Sequence, residues 1–115
     1  MRQFHHVGVP TDEKRPGEIY VEDTKVWITD PDGHPHRIEY LRYEPDSPAT
    51  GPIRELPHVA FTTDDLEREI DGKNVILGPF RPMDDLTVAF IHEDGAVFEF
   101  MQWDAEPRPF SAGTQ

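Results

Sequence analysis

At 115 residues, the chain is long enough for one domain with a real core but not for two independent ones. Its formal net charge of −12, from 11 basic and 23 acidic residues, disfavours a nucleic-acid partner, because phosphate binding needs a basic surface. The chain contains no cysteine, which excludes disulfides and thiolate metal sites, so any bound metal must take nitrogen and oxygen ligands.

Hydropathy gives no sign of a membrane partner. No apolar run approaches the ~20 residues of a membrane span, and no charged segment followed by an apolar one opens the chain as a secretion signal would. We therefore expect a cytoplasmic protein without a membrane partner. The acidic surplus indicates a solvated surface and names no substrate.

The beginning of the chain predicts a strand followed by irregular structure. Residues 4–9 alternate with the period of a strand, which places His6 on one face and His5 on the other. Residues 10–24 contain proline, glycine and many charges but no amphipathic stripe longer than a turn. We expect at most a reduced helix there, with a possible short strand within residues 18–21.

Two further strands and a linker follow. Residues 25–29 and 36–43 are β-prone, and the sequence Asp30-Pro31-Asp32-Gly33 between them predicts a turn, since proline presets φ and glycine admits positive φ. Residues 45–56 hold prolines and a glycine with little apolar content, which is typical of a linker.

The second half predicts a strand, a helix and three more strands. The first strand carries His58. Thr62, Thr63 or Asp64 can cap the helix that follows, Asp64 and Glu67 have capping-box spacing, and Gly72 can end the helix. Residues 74–77 predict a strand that stops at Gly78-Pro79. A hairpin turn at Glu93-Asp94-Gly95 then joins the last two strands, at residues 86–92 and 96–102.

The two halves repeat one pattern. When His6 is aligned with His58, the segments read His-Val-Gly-Val and His-Val-Ala-Phe, and each then reaches Thr and Asp. In each copy an Asp-Gly turn precedes a strand with one glutamate, Glu39 in the first copy and Glu99 in the second. This pattern indicates an internal duplication. It divides the single domain, residues 1–115, into a first module at 4–44, the linker at 45–56, a second module at 57–104 and a tail at 105–115.

The matched histidines and glutamates are candidates for a metal site. Glu99 lies on a strand with apolar residues on both faces, where a carboxylate must be paired, hydrogen-bonded or bound to metal. Glu39 presents the same problem in the first copy, and His58 and His6 also lie in apolar strands. Imidazole and carboxylate suit zinc, nickel, cobalt, manganese or ferrous iron. We predict one divalent metal ion bound by His6, Glu39, His58 and Glu99.

Other polar residues in the same strands are weaker candidates for metal ligands. Each residue alone has a more common structural explanation, and it is the matching register that favours a metal. On a regular strand His5 points away from His6, and His36 points opposite to Glu39. Arg37 shares a face with Glu39, and it is equally suited to bind an anionic substrate group or to pair with a nearby carboxylate.

The two copies and their four residues resemble the vicinal oxygen chelate superfamily, which includes glyoxalase I, fosfomycin-resistance proteins, methylmalonyl-CoA epimerase and extradiol dioxygenases. The resemblance covers about residues 4–103, and the order His, Glu, His, Glu is most similar to bacterial glyoxalase I. It implies an α+β fold in which duplicated β-α-β-β-β modules form a curved mixed sheet around the metal, the first module with a reduced or missing helix. The shorter chain means that a glutathione site is not carried over.

The resemblance implies a metal-dependent lyase, isomerase or epimerase for a small substrate with adjacent oxygens, such as an α-hydroxy carbonyl compound or a sugar derivative. The metal would stabilise an enediolate, and Glu99 or Glu39 would move the proton. A homodimer is expected, because exposed sheet edges need covering. One alternative is a metal-free protein that binds a small molecule or drug in the same cavity. Another is an iron-dependent dioxygenase, against which the fourth ligand at Glu39 argues.

Overall fold

The computed structural model describes residues 2–105, which form one curved sheet of eight strands and few helices. In chain order the strands are β1 (Gln3–Pro10), β2 (Ile19–Val21), β3 (Val26–Ile28), β4 (Ile38–Tyr43), β5 (His58–Thr62), β6 (Val75–Met83), β7 (Leu86–Glu93) and β8 (Ala96–Trp103). The connections contain a 3-10 helix, Pro31–Gly33, and two short α-helices, α1 (Pro52–Glu55) and α2 (Leu66–Ile70). The fold is therefore α+β and mostly sheet. Within residues 2–105, no helix has the length and apolar character needed to cross a membrane.

The sheet is mixed. Its two middle strands, β1 and β5, pair antiparallel. Each of these two strands has a parallel neighbour on its other side, β4 beside β1 and β8 beside β5. The remaining pairs are antiparallel, and the complete order is β2-β3-β4-β1-β5-β8-β7-β6. Read outwards from the centre, both halves follow the same sequence of first, fourth, third and second strand.

The hairpin between β7 and β8 forms as predicted. Asp94 and Gly95 have φ values of 56° and 79°, the positive values that the favoured two-residue hairpin turns require. The pairing continues without interruption from the turn, where Glu93 faces Ala96, to the far end, where Leu86 faces Trp103. This hairpin supplies the longest regular pairing of the sheet and one of the strands that carry the site.

The first half is less regular than the second. No helix forms in residues 11–18, so of the two expectations, a reduced or a missing helix, the second is confirmed. The predicted turn forms the 3-10 helix, where the Asp30 side chain accepts a hydrogen bond of 2.9 Å from the Asp32 N–H. The strand β4 begins at Ile38 rather than at residue 36, because Arg37 has a φ of 59° that interrupts the extended backbone.

Two details of the second half differ from the prediction. Asp65, rather than Asp64, caps α2 by accepting a hydrogen bond from the Arg68 N–H at 3.2 Å. The strand β6 continues beyond Gly78-Pro79, where we expected it to end. Proline is tolerated because β6 is an edge strand, which needs no donor on its outer side, and its pairing with β7 shifts register several times.

Buried apolar residues form three clusters of unequal size. The largest lies between the strands of the second half and the predicted linker, whose helix α1 buries Ile53. A second cluster lies under α2, where Leu66 packs with Ala89, Ile91 and Phe100. The smallest belongs to the first half and consists of Val21, Val26 and Leu41. Of the predicted tail, only residue 105 is within the described part of the chain.

Candidate metal centre

The four predicted ligands meet at the inner face of the four central strands. His6 comes from β1, Glu39 from β4, His58 from β5 and Glu99 from β8. All four are buried, with at most 7% of each residue exposed. One donor atom from each residue lies within 4.8 Å of the others, which is close enough to hold a metal ion. A single chain therefore brings the whole set together.

Strand register explains why these residues converge. In the parallel pair of β1 and β4, Glu39 faces Gly8, which lies two residues after His6. In the parallel pair of β5 and β8, Glu99 faces Ala60, which lies two residues after His58. Because side chains two residues apart share a face, each histidine projects to the same side as the glutamate of its neighbouring strand.

The distances between donor atoms match those around a shared ion. His6 Nε2 lies 3.3 Å from Glu39 Oε1 and 3.4 Å from Glu99 Oε1. His58 Nε2 lies 3.1 Å from Glu99 Oε1 and 3.8 Å from Glu39 Oε1. Ligands about 2.1 Å from a common ion are about 3.0 Å apart along an octahedral edge and about 3.4 Å apart along a tetrahedral edge. Three of the four distances therefore fit a divalent ion, and the longest, at 3.8 Å, exceeds both edges.

The two histidine nitrogens that face the carboxylates are buried and unsatisfied. Within residues 2–105, neither His6 Nε2 nor His58 Nε2 makes a hydrogen bond of acceptable geometry. Each nitrogen nevertheless lies 3.1–3.4 Å from a carboxylate oxygen, so its contact with the carboxylates is that of an ion pair without well-directed hydrogen bonds. Two such atoms directed at the same pair of carboxylates are suitable donors for a metal that prefers nitrogen and oxygen ligands.

The same carboxylates control the protonation of the cluster when no metal is bound. Burial alone would lower the pKa of His6, but the neighbouring Glu39 and Glu99 raise it to about 10. Burial alone would raise the pKa of Glu99, but His58 and His6 beside it lower it to about 2. In neutral solution His6 is therefore cationic and Glu99 anionic, and a metal that binds here must displace the proton of His6.

Gly8 makes room for one of the ligands, a role that the sequence analysis missed. In the antiparallel pair of β1 and β5, Gly8 faces His58, and Ala60 faces His6. A Cβ atom at Gly8 would lie 2.0 Å from Cε1 of the His58 ring. On the other side, the ring of Phe90 packs edge to face against His58, with centroids 5.2 Å apart. The small residue two positions after each histidine was the available signal.

His5 is also part of the site, contrary to the expectation that it points away. The pairing of β1 with β5 shifts register between Phe4 and His6, and this irregularity turns both histidines inwards. His5 is only 2% exposed, and its Nδ1 lies 2.6 Å from Nδ1 of His6. Burial and the adjacent His6 lower the pKa of His5 to about 3, so His5 is neutral at ordinary pH.

The remaining candidates lie elsewhere. His36 is exposed and is not part of the ligand cluster. Of the two possibilities for Arg37, the structure has the ion pair, with Arg37 Nη1 2.8 Å from Asp32 Oδ1. Arg37 Nε also donates a hydrogen bond of 3.3 Å to the backbone carbonyl of His5. The Arg37 guanidinium therefore contacts the backbone of β1 beside His6 and is not one of the predicted ligands.

A cavity of about 70 Å³ adjoins the ligand cluster and is lined by His6, Glu39 and Glu99. Its other walls are mainly apolar and come from both halves of the sheet, including Val21, Ile28, Leu77, Phe80, Met83 and Val88. No lysine or arginine among the described residues lines it. Tyr43 lines it as well, and burial together with Glu39 and Glu99 raises the pKa of its hydroxyl, which donates to the Ile53 carbonyl at 3.2 Å.

Comparison with solved structures shows a related fold. A hypothetical protein from Bacillus halodurans C-125 superposes with a TM-score of 0.66 at 20% sequence identity, over 93% of this chain and 98% of that one. No protein-family model and no curated protein matches the sequence. At this identity the likeness concerns the fold alone, so any argument for function depends on the geometry of the site.

Proposed function

We propose that the chain is a metal-dependent lyase, isomerase or epimerase of the vicinal oxygen chelate superfamily. The observation that carries the proposal is the buried group of His6, Glu39, His58 and Glu99, with two histidine nitrogens that lack hydrogen bonds within residues 2–105. Burying two carboxylates and two imidazoles without an ion is costly. A divalent ion would compensate that cost, and zinc, nickel, cobalt, manganese and ferrous iron all accept this donor set.

We also propose that the sheet arose by duplication of a β-α-β-β-β module that has lost its helix in the first copy. The two halves have the same strand order from the centre outwards. In each half, the residue two positions after the histidine faces the glutamate, Gly8 opposite Glu39 and Ala60 opposite Glu99. A common origin explains why two segments of different composition keep one register.

When bound, the ion would act as a Lewis acid toward two adjacent oxygens of a substrate. The chain itself would supply binding, exclusion of water and movement of a proton. The apolar walls beside the ligands exclude water from the reacting carbon, which strengthens every electrostatic interaction there.

The two glutamates have different surroundings, which suggests different roles. Glu99 Oε1 lies 3.1 Å from His58 Nε2 and 3.4 Å from His6 Nε2, so both imidazoles hold it in place. Glu39 Oε1 lies 3.3 Å from His6 Nε2 but 3.8 Å from His58 Nε2, so only one imidazole holds it closely. We assign Glu99 to ligation and Glu39 to proton transfer. Glu39 would take a proton from the carbon beside the substrate carbonyl and return it to that or the neighbouring carbon.

The cavity narrows the class of substrate. Two carboxylates and one divalent cation sum to zero charge, and no cation among the described lining residues could balance an anionic substrate. Apolar walls would also leave the extra hydroxyls of a sugar unpaired. A small, uncharged α-hydroxy carbonyl compound with an apolar substituent is the best match. Substrate-dependent exchange of the α-proton with deuterated water, followed by NMR, tests this class against sugar derivatives.

A homodimer remains our proposal for the assembly. In glyoxalase-like dimers the ligands of one site come from two chains, whereas here all four lie on one chain. A partner would therefore cover the sheet edges at β2 and β6 without being needed to complete the ligand set. Light scattering of the metal-free and metal-loaded protein measures the mass and shows whether assembly depends on the ion.

A second candidate function is a metal-free protein that binds a small apolar molecule. The apolar walls of the cavity favour this alternative, since they would bind such a molecule without an ion. The two candidate functions differ in the role that they give to the buried histidines and glutamates. Only the metal-dependent enzyme needs both unsatisfied histidine nitrogens.

The deciding experiment is metal analysis of the protein purified without a histidine tag. The wild type is compared with His58→Ala and Glu99→Ala, and with His36→Ala as the control, because His36 is exposed and outside the cluster. We expect about one divalent ion per chain in the wild type and the control, and loss of that ion in both ligand variants. A wild type that stays metal-free after reconstitution with each candidate ion would leave the binding protein as the better account.

A further inference from the structure

We propose that His5 is a positioning residue that fixes the tautomer and ring orientation of His6. The inference extends the proposed metal site by a residue that is not one of the four ligands. It is carried by the contact of 2.6 Å between His5 Nδ1 and His6 Nδ1, two ring nitrogens buried inside the sheet.

The contact allows only one arrangement of protons when His6 acts as a ligand. Two ring nitrogens can lie this close only if one carries a hydrogen and the other offers a lone pair. His6 Nε2 faces Glu39 and Glu99 and must keep its lone pair for the ion. The single proton of the neutral His6 ring is therefore on Nδ1, which donates to Nδ1 of His5. His5 accordingly carries its proton on Nε2.

The backbone around His5 is held in place to make this contact. The register shift between Phe4 and His6 turns His5 inwards instead of outwards. Arg37 Nε donates to the His5 carbonyl at 3.3 Å, and the Val7 N–H donates to the Arg37 carbonyl at 3.0 Å. The loop before β4 is thus bound to β1 on both sides of His6, which fixes the backbone from the His5 carbonyl to Val7.

The second predicted ligand histidine is supported differently in the described residues. The residue that precedes His58 is Pro57, which has no polar side chain. The ring of His58 is instead confined by Gly8 on one side and Phe90 on the other. One ligand is thus oriented by a hydrogen bond and the other by packing. Partners that orient a ligand histidine in this way commonly contribute 10–100-fold to metal affinity.

The direct test is nitrogen NMR of the histidine rings in the full chain, recorded without metal and with zinc. We expect a proton on His6 Nδ1 and none on His5 Nδ1 in both states, because a cationic His6 also donates through Nδ1. A proton on His5 Nδ1 in either state would overturn the assignment. Since the metal-free spectrum alone can decide, the inference is tested even if the protein binds no ion and the proposed function fails.

Two variants separate the hydrogen bond from simple packing. His5→Phe keeps a ring but removes the acceptor, whereas His5→Asn offers a carbonyl oxygen close to the position of Nδ1. We expect zinc affinity, measured by competition with a chromophoric chelator, to fall about 10–100-fold in His5→Phe and to stay within a few-fold in His5→Asn. Unchanged affinity in His5→Phe, or equal loss in both variants, would contradict the proposal. Thermal unfolding of the metal-free variants shows whether they fold, and if His5→Phe does not, His5→Asn and the NMR spectrum still decide.

Discussion

The outer strands of the two halves differ in length, whereas the central strands have matching register. In the first half β2 and β3 have three residues each, and in the second half β6 and β7 have nine and eight. A helix, α2, covers the second half, but none follows β1 in the described residues. Nevertheless each half contributes one histidine and one glutamate to the same cluster.

This difference shows which parts of the fold the site depends on. The ligands lie on β4, β1, β5 and β8, the four adjacent strands at the middle of the sheet. The outer strands supply core residues and cavity walls, and we expect changes there to leave the central strands in register. We therefore expect substitutions beside the four predicted ligands to affect metal binding, and substitutions in the apolar clusters to affect stability.

The largest expected effect is the loss of a ligand from the second half. Glu99→Gln should reduce zinc affinity about 1,000-fold or more, because Glu99 Oε1 is the carboxylate oxygen closest to His58 Nε2, at 3.1 Å. Glu39→Gln should reduce it less, since Glu39 Oε1 is 3.8 Å from the same nitrogen. Competition with a chromophoric chelator measures both values. A larger loss in Glu39→Gln would reverse our assignment of the two carboxylates.

The second prediction concerns the histidines of the first half, whose protonation sets the pH dependence of the metal-free protein. His6 has an unfolded pKa of 6.5 and a folded pKa of about 10, so its contribution is complete below pH 6.5 and is lost as the pH rises toward 10. His5 has a folded pKa of about 3, so stability also falls as the pH drops from 6.5 toward 3.

We therefore expect the free energy of unfolding of the metal-free protein to be greatest near pH 6.5 and to fall by a few kcal/mol toward pH 10. Urea denaturation with excess chelator across this range measures the profile. His6→Gln should remove most of the decline above pH 6.5. A decline of the same size in His6→Gln would mean that other groups cause it.

Gly8 offers a test of the contact between the two halves. Gly8→Ala should reduce zinc affinity about 100-fold, because the new Cβ atom would displace the His58 ring from which it is only 2.0 Å away. Gly33→Ala is the matched control, since a Cβ atom there meets nothing within 4 Å. Equal zinc affinity in the two variants would show that His58 can move without loss of the site.

The smallest expected effect compares the cores of the two halves. Leu86 belongs to the largest buried cluster and Leu41 to the smallest, and both are nearly fully buried. Leucine-to-alanine changes in cores cost about 2–5 kcal/mol, with larger costs where neighbours cannot close the cavity. Leu86→Ala should therefore cost about 1–2 kcal/mol more than Leu41→Ala in urea denaturation. Equal costs would indicate that the first half is packed as rigidly as the second.

The sequence was sufficient to predict that these four residues lie close enough to hold a metal ion, because two kinds of information agreed. Strand alternation placed His6 and Glu39 on definite faces, and the repeat supplied matching positions in His58 and Glu99. The small residues two positions after each histidine were a signal for the role of Gly8, but the role itself depends on which strand lies opposite and in what register.

His5 was misplaced because alternation assumes a regular strand. The register shift between Phe4 and His6 arises from pairing with β5, which is distant in sequence and leaves no local signal. Likewise, Gly78-Pro79 resembles the end of a strand in sequence, but the edge position of β6 removes the need for the hydrogen bond that proline cannot donate.

The placement of each ligand on a different strand also determines when an ion could be acquired. In the newly made chain no two of the four predicted ligands are sequence neighbours, so these four residues form no local chelating motif comparable to a pair of closely spaced cysteines. The sheet has to assemble, including the pairing of β1 with β5, before the donor atoms approach one another. Metal loading would thus be the last step of maturation, and the ion taken up would depend on which metals the finished protein encounters.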